Sequence, residues 1–192
     1  MTVPCRRGTL VLVVGPSGVG KDSIIASAAE ILRSEPRIVF ARRLITRPQQ
    51  SGGEQHIPVS PAEFAEARAA GRLLLYWRAH DLDYGLPAEL GTTLDAGSCV
   101  VANASRGVVT EAREQLAPVL AVAITAPPDV VAARLAARGR EDAAGIAMRL
   151  GRADAWPADQ ADLTITNDGP LTNAIERFVA LLRAVIDQPA SG

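Results

Sequence analysis

Runs of consecutive apolar residues alternate with amphipathic stretches along most of the chain. The uninterrupted runs predict strands that are buried on both faces of a sheet, at residues 9–14, 73–77, 98–102 and 119–125. Shorter strands are predicted at residues 38–41, 55–59 and 163–166. Helical spacing and helix start signals predict helices at residues 21–33, 61–70, 88–96, 108–116, 127–138, 142–155 and 171–186. This order is typical of an α/β fold, here a mainly parallel five-stranded core sheet flanked by helices.

Two stretches interrupt the alternation and divide a single predicted domain. Residues 36–81 form an insert with a strong helix start at Ser60-Pro61-Ala62-Glu63, which combines an N-cap, a first-turn proline and a capping-box glutamate. Residues 138–152 are short and rich in arginine, and we expect them to form a lid. The core is then assigned to residues 1–35, 82–137 and 153–192.

A glycine-rich turn lies between the first strand and the first helix. Its glycines let backbone N–H groups converge on an anion at the positive end of the new helix. The spacing G-x-x-x-x-G-K predicts a phosphate-binding loop, which comprises Gly15, Pro16, Ser17, Gly18, Val19, Gly20, Lys21, Asp22 and Ser23. An ordinary strand-to-helix turn is the alternative, and the full spacing argues against it.

Two side chains at the end of this loop carry further information. Lys21 is the only lysine, although lysine and arginine together number 20, and its compact ammonium suits the outer phosphates of a nucleotide. The next position usually carries a Ser or Thr that binds Mg²⁺, whereas here it is Asp22. This carboxylate is interpreted either as a metal ligand, direct or through water, or as an acidic group that complements the helix dipole.

The overall composition limits the class of partner. The chain has 192 residues, 48% hydrophobic and 21% charged, with a net charge of −1, so no broad basic surface for nucleic acid or anionic lipid is indicated. The apolar runs are too short for a membrane span, and no signal-peptide core precedes Gly15. Cys5 and Cys99 lack metal-ligand or redox spacing. We therefore expect a cytoplasmic monomer or homodimer that acts on small molecules.

Arginines concentrate in two parts of the chain. The first cluster, in the insert and beside His80, contains Arg42, Arg43, Arg47 and Arg78. The second, in and before the lid, contains Arg134, Arg138, Arg140, Arg149 and Arg152. Such a division suits phosphoryl transfer, in which one group holds an anionic acceptor and the other closes over the transferred phosphoryl. The alternative is a solvated helix surface on which the arginines pair with nearby carboxylates.

Several of these segments resemble the guanylate-kinase-like branch of nucleoside monophosphate kinases, and the resemblance covers nearly the whole chain. The matching segments are the loop through Lys21, Ile45-Thr46-Arg47-Pro48, Tyr84-Gly85, Arg138-Gly139-Arg140 and Asn167-Asp168. The groups with which guanylate kinases recognise base and phosphate are replaced here by Leu75, Leu86, Gln50 and His56. Polar contacts of this kind account for selectivity factors of about 10⁴.

A closer resemblance is to the ribose 1,5-bisphosphate phosphokinases. The shared segments are Gly20-Lys21-Asp22-Ser23, Ile45-Thr46-Arg47, Glu54-Gln55-His56-Ile57, Asn103-x-Ser105-Arg106 and Asn167-Asp168-Gly169. The resemblance implies transfer of phosphate from ATP, with Mg²⁺, to the 1-phosphate of ribose 1,5-bisphosphate. The product would be 5-phospho-α-D-ribose 1-diphosphate, which serves nucleotide and NAD synthesis and is linked to phosphonate breakdown. Such an acceptor carries about three to four negative charges and no base.

Placement and resemblance together give a set of site hypotheses. The residues expected to act on the transferred phosphoryl are Lys21, Arg138, Arg140 and Arg149. Those expected to hold ATP are loop residues 15–23, Arg134, Asn167 and Asp168, with Asp22 as the candidate metal ligand. The acceptor is assigned to Arg42, Arg47, His56, Arg78, Tyr84, Asn103, Ser105 and Arg106. A guanylate kinase is the enzyme alternative, and a catalytically inactive guanylate-kinase-like binding module is the non-enzyme alternative.

Overall fold

The computed structural model describes residues 7–48, 55–137 and 160–187. Its strands are β1 (Leu10–Val14), β2 (Ile38–Phe40), β3 (Leu44–Ile45), β4 (Ile57–Pro58), β5 (Leu73–Ala79), β6 (Leu82–Pro87), β7 (Cys99–Asn103), β8 (Val119–Thr125) and β9 (Leu163–Thr166). Its helices are α1 (Lys21–Ile31), α2 (Pro61–Ala69), α3 (Glu89–Asp95), α4 (Val109–Leu116), α5 (Pro128–Ala137) and α6 (Leu171–Asp187). A short 3₁₀ turn, Arg106–Val108, precedes α4.

The core sheet has five strands in the order β2-β7-β1-β8-β9. Every neighbouring pair is parallel, with Leu12 of β1 opposite Ala102 on one side and Ala121 on the other. All five residues of β1 are fully buried, as an uninterrupted apolar run in a central parallel strand requires. The predicted fold class, a mainly parallel five-stranded sheet flanked by helices, is confirmed.

Each face of this sheet packs on its own layer. On one face, Val11 and Val13 pack with Ile24 of α1 and Phe178 of α6. On the other face, side chains of β1 and β7 pack with Leu90 and Leu94 of α3, with α4, and with part of a second sheet. Because successive strand residues point to opposite faces, β1 contributes alternately to the two layers. The phosphate loop therefore begins directly after a strand that is fully buried between the two layers.

The second sheet has four strands in the order β4-β3-β6-β5. Strand β3 is parallel to β4 and antiparallel to β6, and β5 and β6 form an antiparallel hairpin. The hairpin turns through His80 and Asp81, with φ angles of 51° and 60°, the left-handed conformation that a two-residue turn of this twist needs at both positions. Leu75 and Leu86 pair across the hairpin and belong to the core cluster under the first sheet.

Strand pairing divides the chain differently from the predicted insert at residues 36–81. Strand β2 lies in the core sheet, whereas β6, which was placed in the core range and not predicted as a strand, lies in the second sheet. In β6, Leu82, Tyr84 and Leu86 alternate with Asp83, Gly85 and Pro87. This period-two pattern is the signal of a strand with one buried face, and the polar and helix-breaking residues between the apolar ones obscured it.

Local capping signals agree closely with the structure. The Ser60 hydroxyl accepts from the Glu63 backbone N–H at 3.2 Å, and the Glu63 carboxylate accepts from the Ser60 N–H at 2.7 Å. These bonds form the predicted capping box and hold the pKa of Glu63 below its usual value.

The cysteine that the structure describes is buried. Cys99, in β7, is 1% exposed, and burial raises the pKa of its thiol to about 12. Cys5 lies outside the described residues.

Within the described ranges, none of the helices combines the length and apolar character needed to cross a membrane. The predicted lid at 138–152 and the predicted helix at 142–155 lie outside the residues that the structure describes.

Substitutions inside and outside the core should differ clearly in their effect on the free energy of unfolding. Phe178→Ala removes a fully buried ring from the layer between the sheet and α6, so we expect the free energy of unfolding to fall by about 3–5 kcal/mol. Ile31→Ala, at a side chain that is 51% exposed, should change it by less than about 1 kcal/mol. Urea titration followed by circular dichroism measures both, and equal losses would contradict this account of the core.

Candidate active site

The phosphate loop joins β1 to α1 through three glycines with positive φ. Gly15, Gly18 and Gly20 have φ angles of 143°, 90° and 98°, values that L side chains rarely adopt. A Cβ at Gly15 would lie 2.2 Å from the Ile124 carbonyl oxygen, and a Cβ at Gly20 would lie 2.7 Å from Asn167 Nδ2. These two glycines are therefore required both by backbone conformation and by the close approach of neighbouring chain.

The start of α1 leaves its first N–H groups available to a ligand. Gly20 occupies the N-cap position in the left-handed conformation, and no side chain in the described part of the chain caps this helix. The uncapped N–H groups and the helix dipole together favour a bound anion. The loop geometry thus has the form that the sequence predicted for a phosphate site.

Lys21 folds back along the loop. Its Nζ donates to the carbonyl oxygens of Gly15 and Pro16, each at 2.7 Å. These bonds hold the ammonium beside the loop, where three rotatable N–H donors on a long flexible stem can transfer to the oxygens of a bound phosphate. The side chain is partly buried, so its charge acts in a less polar medium than water.

Asp22 and Asn103 meet across the edge of the core sheet. Asn103, the last residue of β7, donates from Nδ2 to Asp22 Oδ1 at 2.7 Å. The sequence assigned these residues separately, to the metal and to the acceptor, and the structure brings them together. Asp22 is exposed, and its hard oxygen donors are of the kind that Mg²⁺ prefers, usually with only one or two protein carboxylates. The site therefore fits Mg²⁺, with Asp22 as the residue that would hold it.

A buried asparagine braces the loop from behind. Asn167 is 1% exposed, and its Nδ2 donates to the Val19 carbonyl oxygen at 2.8 Å. Arg134 donates to the Asn167 backbone oxygen at 3.2 Å and to its Oδ1 at 3.3 Å, while the Asn167 N–H donates to Thr125 O. The predicted contact of Asn167 with a nucleotide stays a prediction, because the side chain here contacts the loop itself.

The acceptor candidates of the insert fall into exposed and buried groups. Arg42 is exposed and Arg43 is only 6% exposed. His56 is fully buried, and its Nε2 is 3.0 Å from the Arg47 carbonyl oxygen, so the ring supports the backbone of the arginine-bearing segment. Arg42 also donates to the His56 carbonyl oxygen at 3.4 Å.

Two buried donors of the insert have no protein acceptor. Arg47 Nε and Trp77 Nε1 are buried without a hydrogen-bond partner in the ranges that the structure describes. Buried N–H groups are nearly always paired, and an unpaired one is costly. A ligand with several oxygen acceptors would satisfy donors of this kind, which agrees with the assignment of Arg47 to an anionic acceptor.

The remaining predicted residues differ in exposure. Ser105 and Arg106 follow β7 and are partly exposed, whereas Arg78 in β5 and Asp168 after β9 are exposed. Tyr84 is 8% exposed and stacks on Trp77, with ring centroids 5.6 Å apart and planes 5° apart. Arg138, Arg140 and Arg149 lie outside the described residues, so their predicted closure over the phosphoryl group stays a prediction.

Comparisons with known proteins agree with this architecture. Residues 10–157 match the family model described as AAA domain. The chain is 50% identical over 177 residues to ribose 1,5-bisphosphate phosphokinase PhnN of Methylobacterium radiotolerans, with 92% of this chain and 98% of that protein covered. The protein of the same name from Pseudofrankia inefficax is 45% identical over 187 residues, with 97% and 95% covered. The chain belongs to the ribose 1,5-bisphosphate phosphokinase family.

Membership confirms the resemblance and makes this protein a kinase with a phosphate loop. The chain is also 46% identical over 190 residues to the bifunctional ribose 1,5-bisphosphokinase-thymidine phosphorylase of Cupriavidus necator, of which it spans 31%. Among solved structures, a guanylate kinase from Anaplasma phagocytophilum has a TM-score of 0.72 at 18% identity, with 95% of this chain and 88% of that one covered. At this identity the likeness shows the fold alone, and the fold agrees with the predicted one.

Sequence reasoning left the roles of Arg43, His80 and Arg152 open. Whether Arg43 points into the site was one of these open questions, and the structure buries Arg43 beside the rings of Trp77 and Tyr84. Its distance of two residues from Ile45, whose side chain is fully buried, was the available signal, because alternate strand residues share a face. His80 is exposed in the β5–β6 turn, and Arg152 lies outside the described residues.

Because Asn167 holds the phosphate loop in place, we expect its loss to weaken ATP binding. Asn167→Ala removes the bond to Val19 O and leaves a buried carbonyl unpaired, so we expect the KM for ATP to rise about tenfold. The exposed Asn173→Ala should leave it within twofold. Initial rates give both values, thermal midpoints check folding, and an unchanged KM in a folded Asn167→Ala protein would contradict the role of the brace.

Proposed function

We propose that this protein transfers the γ-phosphoryl group of ATP to the 1-phosphate of ribose 1,5-bisphosphate, giving 5-phospho-α-D-ribose 1-diphosphate and ADP. The observation that carries the proposal is the 50% identity to a ribose 1,5-bisphosphate phosphokinase along 98% of that protein's length. The geometry of the loop supports ATP as the donor, because uncapped helix N–H groups and a lysine converge at its mouth. Both substrates are cytoplasmic small molecules in this proposal.

On the donor side, the loop N–H groups hold the β-phosphate region and Lys21 moves from the Gly15 and Pro16 carbonyls to the outer phosphates. Mg²⁺, which Asp22 would hold, would neutralise part of the negative charge of the phosphates when bound. Asn103 keeps the Asp22 carboxylate oriented through the 2.7 Å bond. Arg134, which donates to Asn167 at the end of the sheet, is assigned to the bound ATP.

On the acceptor side, the insert would supply the cations for two phosphates. Arg47, with its buried unpaired Nε, is assigned to one of them, and the partly exposed Arg106 to the other. Asn103 and Ser105, at the end of β7, are assigned to ribose hydroxyls. Arg42, Arg78 and Tyr84 complete the proposed acceptor set. The fully buried His56 would act on the acceptor indirectly, through its contact with the Arg47 carbonyl oxygen. Ligands of open parallel sheets bind at this end of the strands.

The chemical step is an in-line displacement at phosphorus. An oxygen of the acceptor 1-phosphate bonds to the γ-phosphorus, while the bond to the oxygen that bridges the β- and γ-phosphates breaks and ADP leaves with that electron pair. A phosphate oxygen is already anionic at neutral pH, so the step needs no general base. Arg138, Arg140 and Arg149 are assigned to the developing charge and to the exclusion of water.

A product analysis tests the reaction. Incubation with ATP and ribose 1,5-bisphosphate should give 5-phospho-α-D-ribose 1-diphosphate and ADP in equal amounts, detected by anion-exchange chromatography and phosphorus NMR. GMP in place of the bisphosphate should give GDP at a rate lower by about 10⁴. Faster turnover of GMP would replace the proposal with a guanylate kinase, and absence of turnover with every acceptor would favour a binding module.

Replacement of Lys21 should lower the rate of phosphoryl transfer without unfolding the protein. Lys21→Met should lower kcat by about 10²–10³-fold, because an aimed charge on the transferred group is lost, while the fold is kept. Arg33→Met, at an exposed residue that ion-pairs with Glu30 just beyond α1, is the matched control and should retain activity. Stopped assays with circular dichroism make the measurement, and equal kcat values for the two variants would refute the role of Lys21.

A further inference from the structure

Asn103 is the last residue of β7, beside the phosphate loop, and strand pairing fixes the direction of its amide. Asn103 lies opposite Val13 in the parallel pairing of β7 with β1, and the Ala104 N–H donates to the Val13 carbonyl oxygen at 2.9 Å. Because alternate strand residues share a face, Asn103 lies on the face of Val101, which belongs to the buried cluster with Ile24 of α1. The amide is therefore directed toward that helix.

Asp22, in the first turn of α1, accepts a hydrogen bond from this amide. Asn103 Nδ2 donates to Asp22 Oδ1 at 2.7 Å, and because Asp22 is exposed, its second carboxylate oxygen remains accessible to a cation. The contact joins one negative charge to one neutral donor. Two ionised carboxylates at this distance would repel each other, so the partner of an ionised Asp22 has to be a neutral group such as an amide or a hydroxyl.

The charged and the neutral group occupy the reverse of the usual positions. Phosphate-loop NTPases hold Mg²⁺ with a Ser or Thr of the loop and with an aspartate that lies outside the loop. Here the residue after Lys21 is the carboxylate, and the residue outside the loop that bonds to it is the amide Asn103. Since the two side chains are in contact, the charge is displaced by little more than the length of one hydrogen bond.

We propose that Asp22 and Asn103 form one Mg²⁺-binding unit in which the helix and the strand have exchanged the charged and the neutral group, so that a single carboxylate can serve the metal from either position. This inference rests on the proposed function, because the Mg²⁺ accompanies the bound nucleotide. Mg²⁺ usually keeps several waters and takes only one or two protein carboxylates, so those waters can adjust to a small displacement of the carboxylate. Asn103 is then a positioning residue that acts through Asp22.

An isosteric exchange tests this unit. Asp22→Asn removes the charge, and Asp22→Asn combined with Asn103→Asp, the exchange variant, returns the charge on the strand and reverses the direction of the hydrogen bond. Calorimetry gives the Kd of ADP for each protein, with saturating Mg²⁺ and with EDTA, and without any acceptor. The ratio of the Kd with EDTA to the Kd with Mg²⁺, called the metal factor, measures how far the metal strengthens nucleotide binding.

The matched control places the same charge at the same edge of the sheet, but on the other face. Asp22→Asn combined with Thr125→Asp has the net charge of the exchange variant. Thr125 is the last residue of β8, on the other side of β1 from β7. It follows Ala121 and Ala123 on the face that packs away from α1. A carboxylate there adds charge near the loop without replacing the Asp22–Asn103 contact.

We expect Asp22→Asn to lower the metal factor at least about tenfold, because the carboxylate that would hold the metal is lost. The exchange variant should recover a metal factor within about threefold of that of the unaltered protein, and the control should remain as low as Asp22→Asn. The proposal would be overturned by an undiminished metal factor in Asp22→Asn, by an exchange variant that stays as low, or by equal recovery in the control. An unaltered protein that binds ADP equally with and without Mg²⁺ would overturn it as well.

Folding and turnover are measured separately from ADP binding. If circular dichroism shows that the exchange variant does not fold, Asp22→Ser combined with Asn103→Asp takes its place under the same criterion. Failure of both variants to fold would overturn the proposal, since the strand end could then not carry the charge. If the unaltered protein does not phosphorylate ribose 1,5-bisphosphate, the proposed reaction fails, while the metal factors still decide the role of the Asp22–Asn103 pair.

Discussion

The anion-binding turn between β1 and α1 is the constraint on which the rest of the structure depends. A loop that presents bare N–H groups to a ligand cannot satisfy them internally, so it has to be held in shape from outside. The Ile124 carbonyl of β8 lies close to Gly15 and leaves no room for a side chain there. Asn167, after β9, donates a hydrogen bond to the Val19 carbonyl oxygen. Asn103 of β7 bonds to Asp22 just inside the helix. Three strands of the core sheet therefore support one loop at their carboxyl ends.

This support explains why the parallel sheet and the second sheet are combined. Parallel strands end together at one edge, which places two asparagine side chains and one backbone carbonyl around the loop. The second sheet then shares the core cluster with β1 and β7 through Leu75 and Leu86, so its inner face is fixed relative to the same edge. Because cores are close-packed, such a shared cluster transmits position well. The phosphate loop and the second sheet are therefore aligned by packing within this shared cluster.

Much of this arrangement could be predicted from the sequence, and the exceptions have physical causes. The loop, the core strands and the capping box depend on local chemistry, such as glycine spacing, apolar runs and the Ser60–Glu63 pair. Strand β6 was missed because Asp83, Gly85 and Pro87 have low strand propensity. Pairing with β3 and β5 and the burial of Leu86 in the core stabilise it. The bond from Asn167 to Val19 spans 148 positions, and no local pattern encodes a contact of that separation.

The division of labour between lysine and arginine follows from hydration. The loop uses the one lysine of the chain, whose ammonium is compact, strongly hydrated and free to follow a phosphate as it moves. Such a group is expensive to bury against rings, whereas the weakly hydrated planar guanidinium stacks on them at lower desolvation cost. A site that keeps a cation at 6% exposure on Tyr84 and Trp77 therefore requires arginine. The buried position of Arg43 accounts for the choice of arginine there, just as the phosphate that moves in the proposed reaction accounts for the choice of lysine at Lys21.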